Sequence, residues 1–446
     1  MDVLDLAFGG EGVARADGYV IFVPGGVPGD RLEVSLVQIR PRYARAEIER
    51  IVTPSDRRTE PPCPYFGHCG GCRLQHVRYE AQLEFKERQV AECLSRLGGL
   101  GPVESVPLRP IIGAPEVFGY RNKMEFTFAE ADGQAIVGLH EAARYDRILD
   151  IEHCLLQSDA MNGMLREVRA FVREHGWKVY RQDQEEGWLR FLVLREGRAT
   201  GERMANLVTS SPDVPAARAL ADRLRARCPG VGSVVLNVNP RKAAVAVGVE
   251  EHPIAGNEQI QERLGGLTFA ISANSFFQTN TRQAERLFGI VLEYAELSGR
   301  ETVFDLYSGT GAISLLLARQ ARAVYGIELV PAAIDDATRN AAANGIANCT
   351  FLAGEVRDVL PELLRTGVRA EVVVADPPRA GFHPKALRAV QALAPERIVY
   401  VSCNPATLAR DLGVLAAGGY RLTAVQPIDM FPHTPHVEVV ARLTRA

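Results

Sequence analysis

The chain has 446 residues, 47% apolar and 24% charged, with 51 Lys and Arg set against 54 Asp and Glu for a formal net charge of −3. That length supplies about two to four domains with a large buried core, and the near balance of charge excludes a globally basic nucleic-acid binder, so any phosphate-contacting surface is local. No stretch approaches the roughly 18 consecutive apolar residues of a membrane span, and Met1-Asp2-Val3-Leu4-Asp5-Leu6 lacks the basic start and long apolar run of a secretory signal. Eight cysteines in such a chain fit a reducing cytoplasm, where thiols serve metals or catalysis rather than disulfides.

In residues 1–56, Gly9-Gly10, Gly12, Gly18, Gly25-Gly26 and Pro28-Gly29 punctuate short β-rich runs such as Tyr19-Val20-Ile21-Phe22-Val23. Short strands at close turn spacing predict a small barrel. Arg40, Arg42, Arg45, Arg50, Arg57 and Arg58 outnumber Glu47, Glu49 and Asp56, with Tyr43 among them. An arginine-rich strand with an aromatic makes an RNA platform; the competing reading is a solvated charged face. The run from Gly18 to Asp30 resembles the TRAM domain, an OB-like RNA-binding module.

Residues 57–268 read as a central α+β domain. It opens with Cys63-Pro64-Tyr65-Phe66-Gly67-His68-Cys69-Gly70-Gly71-Cys72, a C-x5-C-x2-C spacing. Three thiols in a Gly- and Pro-bent loop can wrap one metal centre and call for a fourth ligand. Cys93 shares a helical apolar stripe with Leu83, Val90, Leu94 and Leu97 and reads as packed, so Cys154 is preferred. Zinc clusters usually pair cysteines at closer spacing, so an iron–sulfur centre is favoured, with zinc as competitor. A fourth thiolate closes the centre, which points to a structural or RNA-positioning role. Further on, Gly119-Tyr120-Arg121-Asn122-Lys123-Met124-Glu125-Phe126 sets two cations beside aromatics, a pattern suited to phosphate or base contacts. Residues 159–175 read as a helix, Leu220 to Arg227 as a helix end, and 188–195, 203–209 and 231–249 as strands. Nothing between 155 and 265 offers a catalytic constellation.

Residues 269–446 take up a strand–loop–helix rhythm. Thr302-Val303-Phe304-Asp305-Leu306-Tyr307 runs into Ser308-Gly309-Thr310-Gly311, and a helix is predicted from Ala312 to Arg319. Glycines there let a ligand approach the backbone and the helix N-terminus. Val324-Tyr325-Gly326-Ile327-Glu328 is a second strand ending in an acid able to bond ribose hydroxyls. Ser314 stands where a dinucleotide fingerprint has its third Gly. The arrangement resembles class I S-adenosylmethionine-dependent methyltransferases, with a nicotinamide enzyme as the alternative. Glu371-Val372-Val373-Val374-Ala375-Asp376-Pro377-Pro378-Arg379 and Val399-Tyr400-Val401-Ser402-Cys403-Asn404-Pro405 are buried strands that deliver an acid and a thiol to the same edge.

The loop after Asp376 lacks the aromatic of exocyclic-amine methylases and the second cysteine of cytosine-5 enzymes. One thiol plus one carboxylate matches methylation at carbon 5 of uracil: Cys403 adds at carbon 6, and Glu438 removes the carbon-5 proton. Together Cys63/Cys69/Cys72/Cys154, Phe276-Phe277-Gln278-Thr279-Asn280, Asp-Pro-Pro-Arg, Ser-Cys-Asn-Pro and His436-Val437-Glu438 resemble the RNA uracil-5 methyltransferase family over essentially the whole chain. The branch with both TRAM domain and cluster is most similar to 23S ribosomal RNA enzymes. The resemblance implies an α/β fold: an N-terminal OB-like barrel, a central α+β domain and a C-terminal Rossmann-like methyltransferase domain. It implies a closed [4Fe-4S] cluster on the four cysteines and S-adenosylmethionine contacts at Gln278, Tyr307, Glu328 and Asp376. Glu355 joins them at a position where some members carry an amide. The expected partner of a monomeric enzyme is RNA, held by stacking on Phe276 and the Tyr120-to-Phe126 segment; a tRNA target or a non-catalytic assembly factor are the alternatives.

Overall fold

The structure, a computed structural model, describes residues 1–446. Strands Val3–Leu6, Gly12–Ala16, Tyr19–Val23, Arg31–Ile39 and Tyr43–Thr53 form one sheet around a small core of Val3, Ala14, Ile21, Val23, Leu32, Ala44 and Ala46. The two ends of the sheet meet where Asp2 bridges Arg31. Buried Asp30 ties this corner, accepting from the amides of Val27 and Ser55 and from the Arg58 guanidinium at 2.6 Å. Burial alone would raise its pKa; Arg58 and the two amides reverse that and hold it below the usual carboxylate range. Arg45 pairs with Glu11, Arg50 with Glu33 and Arg57 with Glu84, so most of the arginine stripe is neutralised within the protein. Arg40 and Arg42 remain exposed.

The central sheet has seven strands in the spatial order Glu250–Gly256, Val231–Val238, Arg203–Thr209, Leu189–Glu196, Lys123–Ala131, Gln134–Glu141, Arg144–Asp150. Only Arg203–Thr209 and Val231–Val238 pair in parallel. Helices Asp159–Glu174 and Val214–Arg227 bury Met161, Met164, Leu165, Leu220 and Leu224 with this sheet. Ser158 and Asp213 cap them with side-chain oxygens on the Met161 and Ala216 amides. The strand expected over 231–249 stops at Val238, because Arg190 gathers the carbonyls of Asn239, Arg241 and Ala243 and turns the chain into a loop. Tyr120 and Phe126, expected to stack RNA, are 2% and 0% exposed. They serve the core instead, Phe126 among the sheet's apolar residues and Tyr120 with its hydroxyl donating to the Pro432 carbonyl. Only Arg121 and Lys123 of that segment keep partly exposed cations.

The C-terminal sheet contains β1 (Thr302–Leu306), β2 (Ala323–Glu328), β3 (Cys349–Ala353), β4 (Val372–Ala375), β5 (Arg397–Ser402), β6 (Tyr420–Ile428) and β7 (Glu438–Arg445). Their order is β3-β2-β1-β4-β5-β7-β6, and β7 alone runs against the others. Helices cover both faces, so β1, β4 and β5 are near-continuous apolar runs. Two cores result, one including Val303, Val372 and Val399 with Leu287 and Val291 of helix Thr281–Ala295, the other Phe304, Val373 and Tyr400 with Leu408 and Leu412 of helix Pro405–Ala417.

The helix Tyr79–Arg96 lies within the 57–268 portion of the chain, yet Val90 and Leu94 complete the second of these cores, with Cys93 partly buried against it. Leu108 and Ile112 then bridge Val425 and Ile428 along the outer edge of β6. Lys86 and Asp429, both fully buried, pair at 2.6 Å, and the Tyr79 hydroxyl donates to the same carboxylate. No helix is long and apolar enough to cross a membrane.

Candidate active site

Every parallel strand of the C-terminal sheet from β1 to β5 ends in a residue singled out above. Tyr307 follows β1, Glu328 closes β2, Glu355 stands two residues past β3, Asp376 follows β4 and Cys403 follows β5. Glu438 opens the antiparallel β7 and so reaches the same edge from the other direction. The β5–β7 ladder runs Arg397 to Thr444 through Ser402 to Val439; one further step sets Cys403 opposite Glu438. Ligands of open α/β sheets bind at this edge.

Local chemistry fixes each position. Tyr307 is held at φ +71 with its amide and that of Ser308 both donating to the Ile327 carbonyl. A bulky residue in that region is strained, as happens where a site over-determines its backbone. Glu328 accepts from the amides of Gly309 and Val330 at 3.0 and 2.8 Å, so its carboxylate spans the glycine turn. Gly311 has φ +83, and a Cβ there would crowd Ala337 and Phe351 at 3.0 and 3.1 Å. Ser314, in place of a third glycine, donates its hydroxyl to fully buried Asp305. Glu355 pairs with Arg357 at 2.9 Å just before helix Val356–Arg365. The Gln278 and Thr279 carbonyls are clasped by the Asn122 side chain and amide, and Asn280 caps helix Thr281–Ala295. Phe276 beside them is 66% exposed.

The Cys403 turn is built by its neighbours. Asn404 caps helix Pro405–Ala417 through the Ala406 amide, while its side-chain amide and the Thr407 hydroxyl donate to the Arg379 carbonyl. This ties the Asp-Pro-Pro-Arg loop to the thiol. Arg379 in turn donates to Nδ1 of His436 at 3.1 Å, two residues before Glu438. Burial, and then the nearby cations beginning with Arg379, push the His436 imidazolium down to about 4, which keeps that nitrogen a free acceptor at neutral pH.

Acid crowds this edge. Burial, then the charge of Glu328 against the opposing Ser314 bond, raises Asp305 to about 7. Burial and Asp305 raise Asp376 to about 7. Burial and Asp376 lift Glu438 well above the carboxylate range, and Arg379 opposes them. Cys403 is raised to about 11 by burial, then by Glu438 and Asp376, with Arg379 again opposing. A cationic ligand placed here relieves all four.

Cys63, Cys69, Cys72 and Cys154 line one cavity of about 160 Å³, together with Tyr65, Gln75, Arg121 and His153. Burial, and beyond it the neighbouring thiols, push Cys72 up to about 12. Four thiols are the donor set of a sulfur-ligated metal group, but no three His, Cys, Asp or Glu side chains are drawn together closely enough to hold an ion.

Sequence reasoning missed the partners that hold these groups. Asn122 sits far from Gln278 in the chain, and His436 far from Arg379, so no local pattern connects them.

The strand order, the glycine turn and the acid closing β2 define a class I S-adenosylmethionine-dependent methyltransferase. A profile of the tRNA (Uracil-5-)-methyltransferase family matches residues 214–446, and a TRAM profile matches residues 2–48. An uncharacterized RNA methyltransferase of Halalkalibacterium halodurans is 44% identical over 439 residues, 98% of this chain and 95% of that protein. One of Chlorobaculum tepidum is 43% identical over 437 residues, 94% of this chain and 90% of its own length. The crystal structure of Pyrococcus abyssi tRNA (uracil-54, C5)-methyltransferase in complex with S-adenosyl-L-homocysteine is 31% identical, with a TM-score of 0.79 over 100% of both chains. The chain belongs to the tRNA/RNA uracil-5 methyltransferase family: it is an S-adenosylmethionine-dependent RNA (uracil-5-)-methyltransferase with an N-terminal TRAM domain.

Proposed function

We propose that the enzyme methylates carbon 5 of a uridine in 23S ribosomal RNA, with Cys403 as nucleophile and Glu438 as general base. The observation that supports the catalytic pair is the β5–β7 register, which, extended one step beyond Ser402–Val439, faces this thiol with this carboxylate at the ligand-binding edge. S-adenosylmethionine, when bound, supplies an electrophilic methyl group and a positive charge among the acids. Tyr307, Glu328, Glu355 and Asp376, one at the end of each of four strands, and Gln278 from the preceding segment would hold it. The Cys403 thiolate adds to carbon 6 of the uracil, and the electron pair moves into the ring as an enolate. Carbon 5 would take the methyl group, with the sulfonium's bonding pair returning to sulfur as S-adenosylhomocysteine. Glu438 then removes the carbon-5 proton, the pair re-forms the 5,6 double bond, and the thiolate leaves. Burial suits Glu438 to this, because a carboxylate raised above its usual range is a stronger base. The uridine has to leave its stack, at a cost of about a few kcal/mol, and exposed Phe276 is the aromatic available to hold it.

The four cysteines would hold a [4Fe-4S] cluster. With all four thiolates engaged, the group supplies a cross-link between the 63–72 loop and Cys154, and no step of the reaction passes through it. The divisions at 1–56, 57–268 and 269–446 then assign RNA docking, the cluster scaffold and the chemistry, except that helix Tyr79–Arg96 and the segment after it pack with the third part, in a monomer acting in the cytoplasm. A second reading is a tRNA uridine, favoured by the full-length similarity to the Pyrococcus abyssi protein, whose description names a tRNA position. Mapping 5-methyluridine in ribosomal and transfer RNA with and without the gene decides between them: loss of a 23S site supports the proposal, and loss confined to tRNA overturns it.

A further inference from the structure

His433 lies five residues before Glu438, is 6% exposed, and has φ +66. Few non-glycine residues adopt that conformation, and those that do are held there by their surroundings. The surroundings here come from the cysteine loop. The amides of Arg73 and Leu74, the two residues after Cys72, both donate to the His433 carbonyl at 2.9 and 3.0 Å. Gln82 accepts from the His433 amide at 3.0 Å, and its side-chain nitrogen lies 3.2 Å from the ring Nδ1 while also donating to the Leu74 and Val77 carbonyls. Phe118 stacks on the ring at 4.3 Å. The loop after Cys154 reaches the same place: the amides of Gly119 and Arg121 donate to the carbonyls of Leu155 and Leu156, and Tyr120 between them donates to the Pro432 carbonyl. The chain following Cys72 thus grips His433 directly, and the chain following Cys154 anchors the segment whose Tyr120 grips Pro432, at the base of the turn that leads to Glu438.

We infer that His433 is a positioning residue that transmits the order of the cysteine centre to the Glu438 carboxylate. The inference rests on Glu438 being the general base, and it gives the cysteines a mechanical part in the reaction with no electron transfer. Glu438 is needed only after the methyl group has moved, to take the carbon-5 proton so that the carbon-6–sulfur bond can break and return its pair to Cys403. Misplacing it leaves substrate binding and covalent addition intact and stalls elimination.

The test uses full-length protein, S-adenosylmethionine and unmodified substrate RNA, and follows the covalent protein–RNA adduct on denaturing gels. Glu438→Gln serves as the reference and accumulates adduct if the base is correctly assigned; if it turns over freely, that assignment fails and this inference with it. His433→Ala is expected to form adduct as wild type does and to release product on the order of 10–100-fold more slowly, with S-adenosylhomocysteine affinity unchanged. His433→Asn tolerates the left-handed backbone and offers Gln82 an acceptor, so it recovers most of the release rate. Hydrogen exchange over residues 429–438 quickens in Cys72→Ser. Normal release by His433→Ala while Glu438→Gln traps adduct overturns the inference alone. So does joint loss of adduct formation and S-adenosylhomocysteine affinity in both His433 variants, which would make His433 a folding residue. Unchanged exchange in Cys72→Ser removes the link to the cysteines.

Discussion

As the proposed nucleophile, Cys403 is handicapped, since burial, Glu438 and Asp376 all favour its thiol over its thiolate, and Arg379 alone among its charged neighbours works the other way. In the ligand-free enzyme its alkylation by iodoacetamide should therefore accelerate about tenfold per pH unit up to about 11. The sign follows from loss of a proton creating the nucleophile. Arg379→Ala removes the opposing cation, so at any fixed pH below that point alkylation slows; equal rates in the two proteins would show that the guanidinium has no influence on the thiol. A bound cationic analogue of the methyl donor acts oppositely and quickens alkylation wherever it does not cover the sulfur. Cys403→Ser should reduce methyl incorporation to background and abolish the denaturation-resistant adduct. Glu438→Gln should lower turnover by about 10²–10⁴-fold with the adduct preserved. Single-turnover measurements separate the two.

At the scale of elements, the joint between the helix Tyr79–Arg96 and the segment after β6 depends on a charge pair out of water. Lys86→Met leaves the Asp429 carboxylate buried with only the Tyr79 hydroxyl and the Phe431 amide as partners, a loss of about 3–5 kcal/mol expected for breaking a buried pair from one side. Denaturant titration measures it, and a change below about 1 kcal/mol would mean that the site hydrates on substitution. Gly326 on β2 shows a different constraint. A Cβ there would lie 2.7 Å from the Phe351 ring and 2.9 Å from the Ser308 hydroxyl. Gly326→Ala should cost roughly 1–3 kcal/mol by overpacking, and, by pushing on the turn beside Glu328, weaken S-adenosylhomocysteine binding in calorimetry.

Across the molecule, RNA affinity has to be assembled from local patches, because the net charge is negative. Intramolecular pairing decides which arginines contribute. Arg40→Ala with Arg42→Ala should reduce the salt dependence of RNA binding by about 0.7–0.9 in slope for each phosphate left without its cation. Arg45→Ala and Arg50→Ala, already satisfied by Glu11 and Glu33, should change it little. Fluorescence titration of substrate RNA across a salt series distinguishes these outcomes; equal effects from both pairs would mean the acids release their partners on binding.

Strand ends, turn chemistry and motif order were legible without coordinates, because they are written in consecutive residues. The apolar runs before Asp376 and Cys403, the glycine turn after Tyr307 and the acid closing Val324–Glu328 follow from strand periodicity and turn preferences, and the 63–72 cysteine spacing announces itself. Pairing was not legible. Only the folded sheet carries β7 back between β5 and β6, setting Glu438 across from Cys403. Only packing withdraws Tyr120 and Phe126 from solvent, matches Arg45 and Arg50 with acids, and folds the helix Tyr79–Arg96 onto a domain that starts nearly two hundred residues later. The physical reason is the same in each case: an isolated side chain's chemistry is set by its own atoms, whereas its exposure, charge state and partner are set by whichever distant segment buries it.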